Sequence, residues 1–236
     1  MQFLRRWLLL ALVPLVALIA NGCVKSTAIQ GGHKPFEMEA VDECLVLIAD
    51  MSGSFSESWD DRAYTLFLEL MDRFFQEGMG SESRVVLGQL SGSDKVILFQ
   101  GTPAELRRRF RSPEDLNNFL RENSDPSRSA VFDATGKTVD YIRSMQGVTE
   151  KTRVLTVILS DMVESESNQT TRSQSGHRML NSLKRYKEQG GTLALYFVAL
   201  DEMPRWRQIL EMAGFEPGQY VIENAIVAKP ELPRFD

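Results

Sequence analysis

The chain has 236 residues, 43% hydrophobic and 25% charged, with a formal net charge of −5. That balance is ordinary for a soluble globular domain. It has no long basic cluster: the densest basic spot, Arg107-Arg108-Arg109 with Arg111, reads as a solvated helix face, which argues against nucleic acid as a partner.

In chain order, the first segment is a targeting signal. Arg5 and Arg6 precede an apolar run, Trp7 to Ala20, of about 14 residues. Such a run is shorter than the roughly 20 residues that span a bilayer. It ends in Ala20-Asn21-Gly22-Cys23, which resembles a bacterial lipoprotein signal with a lipobox. The resemblance implies cleavage after residue 22 and lipidation of Cys23. Ala20 stands where Leu is commonest and Asn21 where a smaller residue is usual. An ordinary cleaved signal and an uncleaved anchor are the other readings. Only Cys23 and Cys44 exist, so an acylated Cys23 leaves Cys44 without an intramolecular partner. Residues 23–42 read as a linker, with Gly31-Gly32 and Pro35 and no periodicity. As a flexible coil, its stretch from Val24 to Ala40 would span about 20–25 Å. Processing removes Arg5 and Arg6 and no acid, so lipid rather than charge must hold the mature chain at a membrane.

Cys44 to Ala49 is a short apolar run, expected as a strand buried on both faces. Asp50-Met51-Ser52-Gly53-Ser54 follows at once. Ligands bind beyond the carboxyl ends of strands in open α/β sheets. Three hard oxygen donors at alternate positions of a tight turn suit Mg²⁺. The plainer reading is a turn whose Asp and Ser cap the next helix.

Trp59 to Glu77 carries Tyr64, Phe67, Leu68, Met71, Phe74 and Phe75 at helical spacing, closed by Gly78 and Gly80. Arg84 to Leu90 and Val96 to Phe99 are strands, antiparallel because residues 91–94 are too short for a crossover. Short helices follow at 103–110 and 113–122, the second capped by Ser112. Ser129 leads into a helix reaching about Met145. Val154 to Ser160 is a second buried strand ending at Asp161. The polar stretch Met162 to Ser175 reads as a loop, charged at Glu164, Glu166 and Arg172, that could supply partner specificity. A helix from about Gly176 to Glu188, a strand Thr192 to Leu200, a helix capped by Asp201 and a short strand at 220–222 complete the alternation. From Ala225 the chain reads as a loose tail.

The motif Asp50-x-Ser52-x-Ser54, the hydroxyl of Ser129 before a helix, and Asp161 after a later strand together resemble the von Willebrand factor type A (VWA) domain. The resemblance covers roughly Glu43 to Asn224, with residues 1–22 as signal, 23–42 as linker and 225–236 as tail. Ser129 stands where the family usually has Thr, and Met162 where it usually has Gly. Ser127 is the alternative hydroxyl, two residues earlier. The resemblance implies a doubly wound, mostly parallel six-stranded sheet with one antiparallel edge strand and helices on both faces. It also implies a metal-ion-dependent adhesion site of Asp50, Ser52, Ser54, Ser129 and Asp161. That site would hold Mg²⁺ (or Mn²⁺ or Ca²⁺) and bind a protein partner's carboxylate at the open metal position. With strand order 3-2-1-4-5-6, strands one and four meet at the switch point and bring Asp50 and Asp161 together.

The chain has no nucleophile elbow, Gly-rich phosphate loop or H-E-x-x-H motif. Its histidines, His33 and His177, have no context that orients them on the Asp50 turn. The expectation is therefore a lipid-anchored binding module at the cell envelope, with the outer membrane or its periplasmic face favoured over the inner membrane. A metal-free scaffold and, more weakly, a metal-assisted hydrolase are the alternatives.

Overall fold

The computed structural model describes residues 40–77, 82–90, 95–225 and 230–234. The signal, Cys23, most of the linker, Gly78, Gly80 and the 91–94 connection lie outside them.

Glu43–Ala49 forms β1, and every residue from Cys44 onward is buried, as a central strand requires. Alternate side chains divide between the two faces: Val46 and Ile48 join one core, Leu45 and Leu47 the other. Ser83–Gln89 (β2), Ile97–Gly101 (β3), Arg153–Leu159 (β4), Gly191–Tyr196 (β5) and Tyr220–Glu223 (β6) complete the sheet. Its order is β3-β2-β1-β4-β5-β6. Only the edge strand β3 runs antiparallel, to β2. The expected topology is therefore observed.

One face is covered by a short turn α1 (Ser56–Ser58), a π-helical turn Trp59–Ala63, α2 (Tyr64–Glu77), α3 (Pro103–Arg109) and α4 (Pro113–Glu122). Their core includes Trp59, Phe67, Leu106, Leu116 and Leu120. The other face is covered by α5 (Val131–Ser144), α6 (Gln169–Glu188) and α7 (Met203–Met212), through Phe132, Val139, Met179, Leu183 and Trp206. The helix expected as one run from Trp59 thus begins with a widened turn. The indole Nε1–H of Trp59 donates to Asn117 Oδ1 at 2.9 Å, pinning that turn to α4.

Local signals explain most boundaries. Thr102 and Glu105 form a capping box on α3, and the Ser112 hydroxyl accepts from the Asp115 N–H at the start of α4. Gly190, at φ 79°, ends α6 in the left-handed region. A Cβ on Gly191 would sit 2.4 Å from the Tyr186 ring, so only glycine lets β5 begin there. α7 has no side-chain cap, and its N-cap is Glu202, not Asp201.

Three further segments differ from expectation, the first being the strand expected to reach Leu200, which ends at Tyr196. α6 begins at Gln169, seven residues before Gly176, because Asn168 caps it by accepting from the Thr171 N–H. The tail is docked where it is described: Leu232 packs on the α2-side core, and the Arg234 N–H donates to the Gly218 carbonyl. Among the described residues, no helix is long and apolar enough to cross a membrane.

Candidate functional site

The carboxyl ends of β1 and β4 meet in register, Ala49 opposite Leu159. The next residues continue that alignment. The Asp50 N–H donates to the Leu159 carbonyl at 3.0 Å. Asp50 thereby faces Ser160, with Asp161 one residue farther along.

Asp50 is fully buried. Its Oδ1 accepts from the Ser52 N–H at 2.9 Å and from the Ser129 hydroxyl at 3.1 Å. Its Oδ2 accepts from the Ser160 hydroxyl at 2.6 Å. A buried carboxylate demands such donors, since desolvation otherwise disfavours its charge. Ser52 Oγ lies 3.2 Å from Ser54 Oγ, so the alternating hydroxyls of the turn point together. The turn is held from outside: the Gly53 N–H donates to the Pro126 carbonyl, and Phe55 packs edge-on against Phe197 at 5.5 Å.

Asp161 closes the group. Burial raises its pKa above the ordinary carboxylate range, and the charge of Asp50 pushes the same way. The Val163 N–H, which donates to Oδ1 at 3.0 Å, and the Ser54 hydroxyl oppose the shift. Asp201 adds another negative neighbour. All five residues singled out in the sequence thus converge: Asp50, Ser52, Ser54, Ser129 and Asp161. Ser127 does not join them, because its hydroxyl donates to Asp125 Oδ1 at 2.6 Å.

The donor set is two carboxylates and three hydroxyls. Among the described residues there is no cluster of three or more His, Cys, Asp or Glu side chains that could hold a metal. A polycarboxylate or His/Cys centre is therefore not formed. What is formed is an all-oxygen group in which the charge of Asp50 is felt at Asp161, hard donors of the kind that suit a small cation keeping some of its waters.

Met162 takes φ 61°, the left-handed conformation for which glycine is the usual residue. Three contacts hold it there. Its side chain is buried in the α5-side core. Its N–H donates to Ser160 Oγ at 2.8 Å, and its carbonyl accepts from the Trp206 indole at 3.2 Å. Left-handed backbone costs an L-residue about 1–2 kcal/mol. A fully buried side chain and two hydrogen bonds offset that cost.

The residues expected to give specificity divide into different roles. Glu164 is buried: its Oε2 accepts from the Phe132 N–H in the first turn of α5 at 2.8 Å, and its Oε1 from the Glu166 N–H at 2.9 Å. It is a buried cap on α5, whose N-cap residue Ala130 has no capping side chain. Glu166 accepts from the Asn168 N–H and leads into α6. Arg172 stands in the first turns of α6, on the wall of a groove toward α7. His177 lines that groove as well.

Ser160 was not singled out as a site residue. Its signal was present, a hydroxyl at the end of an apolar strand, but its meaning depended on the β1–β4 register.

No protein-family model matches the chain, and no curated protein matches it. Solved structures do. The pilus adhesin SpaC from Lactobacillus rhamnosus GG, in its open conformation, is similar at 15% identity and TM-score 0.53, over 81% of this chain and 28% of SpaC. The SpRpn10 VWA domain is similar at 11% identity and TM-score 0.51, over 81% of this chain and 92% of that domain. A mutant of the PilB minor pilin from Streptococcus sanguinis is similar at 10% identity and TM-score 0.52, over 81% of this chain and 59% of PilB. The chain thus spans less than two thirds of either pilus protein and nearly all of the Rpn10 domain. The fold is VWA-like and doubly wound.

Proposed function

We propose that this chain is a lipid-anchored protein-binding module of the cell envelope, using a divalent cation to engage a partner's carboxylate. The observation that carries the reading is the pair Asp50 and Asp161. Two acids at adjoining strand ends, with the hydroxyls of Ser52, Ser54 and Ser129 turned toward them, form an oxygen set that a cation would neutralise. Asp50 and Asp161 would supply charge, and the serine hydroxyls neutral donors. Mg²⁺, or Mn²⁺ or Ca²⁺ in its place, would keep a position open for an oxygen from outside. Ser54, exposed at the turn, stands where a partner would approach. The pilus adhesin and minor pilin with this fold support a binding role over a catalytic one. Arg5-Arg6, the short apolar run and Gly22-Cys23 support the envelope anchor.

One observation favours a metal-free scaffold: Asp50 already accepts three hydrogen bonds, so the cluster is held together by its own donors.

The test is capture of partners from envelope extract by the wild type, with Mg²⁺ present and then chelated, and by Ser54→Ala. Metal-dependent capture that Ser54→Ala weakens supports the reading. Full capture in chelator and by folded Ser54→Ala overturns it in favour of the scaffold. Cys23→Ser separately tests the anchor: it should lose the acyl mass and leave the membrane fraction.

A further inference from the structure

Between α6 and α7 runs a groove of about 520 Å³, separate from the carboxylate cluster in its lining. Phe132, Leu180, Ile209 and Met212 make its apolar surface, and Arg172 and Arg205 supply its charge. No Asp or Glu lines it, in a chain with 32 acidic and 27 basic residues. Met212 is 56% exposed, one of three exposed large hydrophobic side chains among the described residues.

The two arginines differ in how they are held. The Arg205 guanidinium lies 5.0 Å over the Phe132 ring, and its Nη1 is 3.3 Å from Glu202. Stacking and pairing fix its plane while further N–H donors remain. Arg172 makes no ion pair among the described residues. A cation without an ion pair among the described residues and an oriented one thus flank the apolar surface. Water would leave that surface readily, and a carboxylate placed beside it would meet donors suited to its geometry.

We propose that this groove binds a peptide segment of a partner protein in which a large apolar side chain is flanked by carboxylates. The apolar residue would seat between Leu180, Ile209 and Met212, and the acids would face Arg172 and Arg205. This is the groove mode of peptide recognition, with charge setting the partner's character. It deepens the reading of the chain as a protein-binding module without using the metal, so the two can fail separately.

The experiment is fluorescence anisotropy on the full chain in mild detergent. The probe is a fluorescein-labelled peptide of sequence Glu-Leu-Asp-Trp-Glu-Leu-Asp, compared with the same peptide carrying Lys at every acidic position. The acidic peptide should bind saturably and equally well in chelator. Arg172→Glu and Met212→Asp should each weaken it roughly tenfold. Lys184→Glu, the same charge reversal at an exposed position of α6 outside the groove lining, should change affinity less than about twofold. Equal losses in Arg172→Glu and Lys184→Glu would reduce the effect to overall charge and overturn the proposal. So would equal binding of the lysine peptide. Displacement of the bound peptide by phosphatidylglycerol vesicles would reassign the groove to a lipid surface. Loss of binding only in chelator would assign the peptide to the metal site.

Discussion

Ser160 donates its hydroxyl to Asp50 Oδ2 at 2.6 Å across 110 positions of sequence. The Ser160 Oγ in turn accepts from the Met162 N–H at 2.8 Å. One side chain therefore ties the fully buried carboxylate after β1 to the left-handed residue beyond β4.

Ser160→Ala should destabilise the fold by about 1.5–3 kcal/mol, the range for a hydrogen bond to a charged group. Ser127→Ala should stay within about 0.5 kcal/mol, because its exposed hydroxyl bonds only within its own turn. Urea denaturation of both variants checks the contrast. Equal effects would mean that Asp50 does not depend on Ser160.

Divalent cation should raise the melting temperature of the wild type and leave Asp161→Ala flat. At a hundredfold excess over Kd the stabilisation is about 2.7 kcal/mol. Its pH dependence has a definite sign. Burial and the Asp50 charge raise the Asp161 pKa in the fold. In the metal-free protein that group adds stability below its unfolded pKa and loses it as pH rises through the folded value. A cation favours the ionised form, so the metal-induced shift should fade on acidification at a higher pH than for an ordinary carboxylate. Melting curves with Mn²⁺ across a pH series would show it. A shift that persists unchanged through that range would remove Asp161 from the site.

At Met162 the usual order of alanine over glycine should reverse. Both substitutions lose a fully buried side chain, worth about 2–5 kcal/mol for Met→Ala. Only glycine also relieves the left-handed backbone, by about 1–2 kcal/mol. Stability by calorimetry should run wild type, then Met162→Gly, then Met162→Ala. If Met162→Ala proves the more stable of the two, backbone strain at this position is not significant.

The Cys44 thiol should be silent in the native protein. Burial raises its pKa from 9.0 to about 12, with Arg84 opposing. In Cys23→Ser, an aromatic disulfide reagent at pH 8 should react only on unfolding. Because the folded value is the higher one, this group adds stability below pH 9 and loses it as pH rises toward 12. Rapid native labelling at pH 8 would show that β1 is open.

How far the chain could be read without its tertiary structure varies by residue. The apolar runs before Asp50 and Asp161 were legible because central strands need no partner information to look buried. The strand order followed from the resemblance, together with the handedness of crossovers. Gln169 to Ser175 looked like loop because the stretch is polar throughout. Its helix is set by the Asn168 cap and by the buried positions Ser175, Met179 and Leu183 farther along. Glu164 looked like a loop charge, and only the packing of its segment against α5 turned it inward.

The sequence by itself determined that this is an α/β chain with oxygen-bearing side chains after two central strands, because strand burial and turn chemistry are local. The expectation of a signal ending at Cys23 also rests on residues read linearly, Arg5-Arg6, the apolar run and Gly22-Cys23. Tertiary structure alone decided which hydroxyl serves Asp50, that Ser160 and not Asp161 is its register neighbour, and that Met162 holds a left-handed backbone. Those facts depend on how β1 and β4 align and on what α5 and α7 place beside them. Register is a property of two strands paired through space, and no single stretch of the chain contains it.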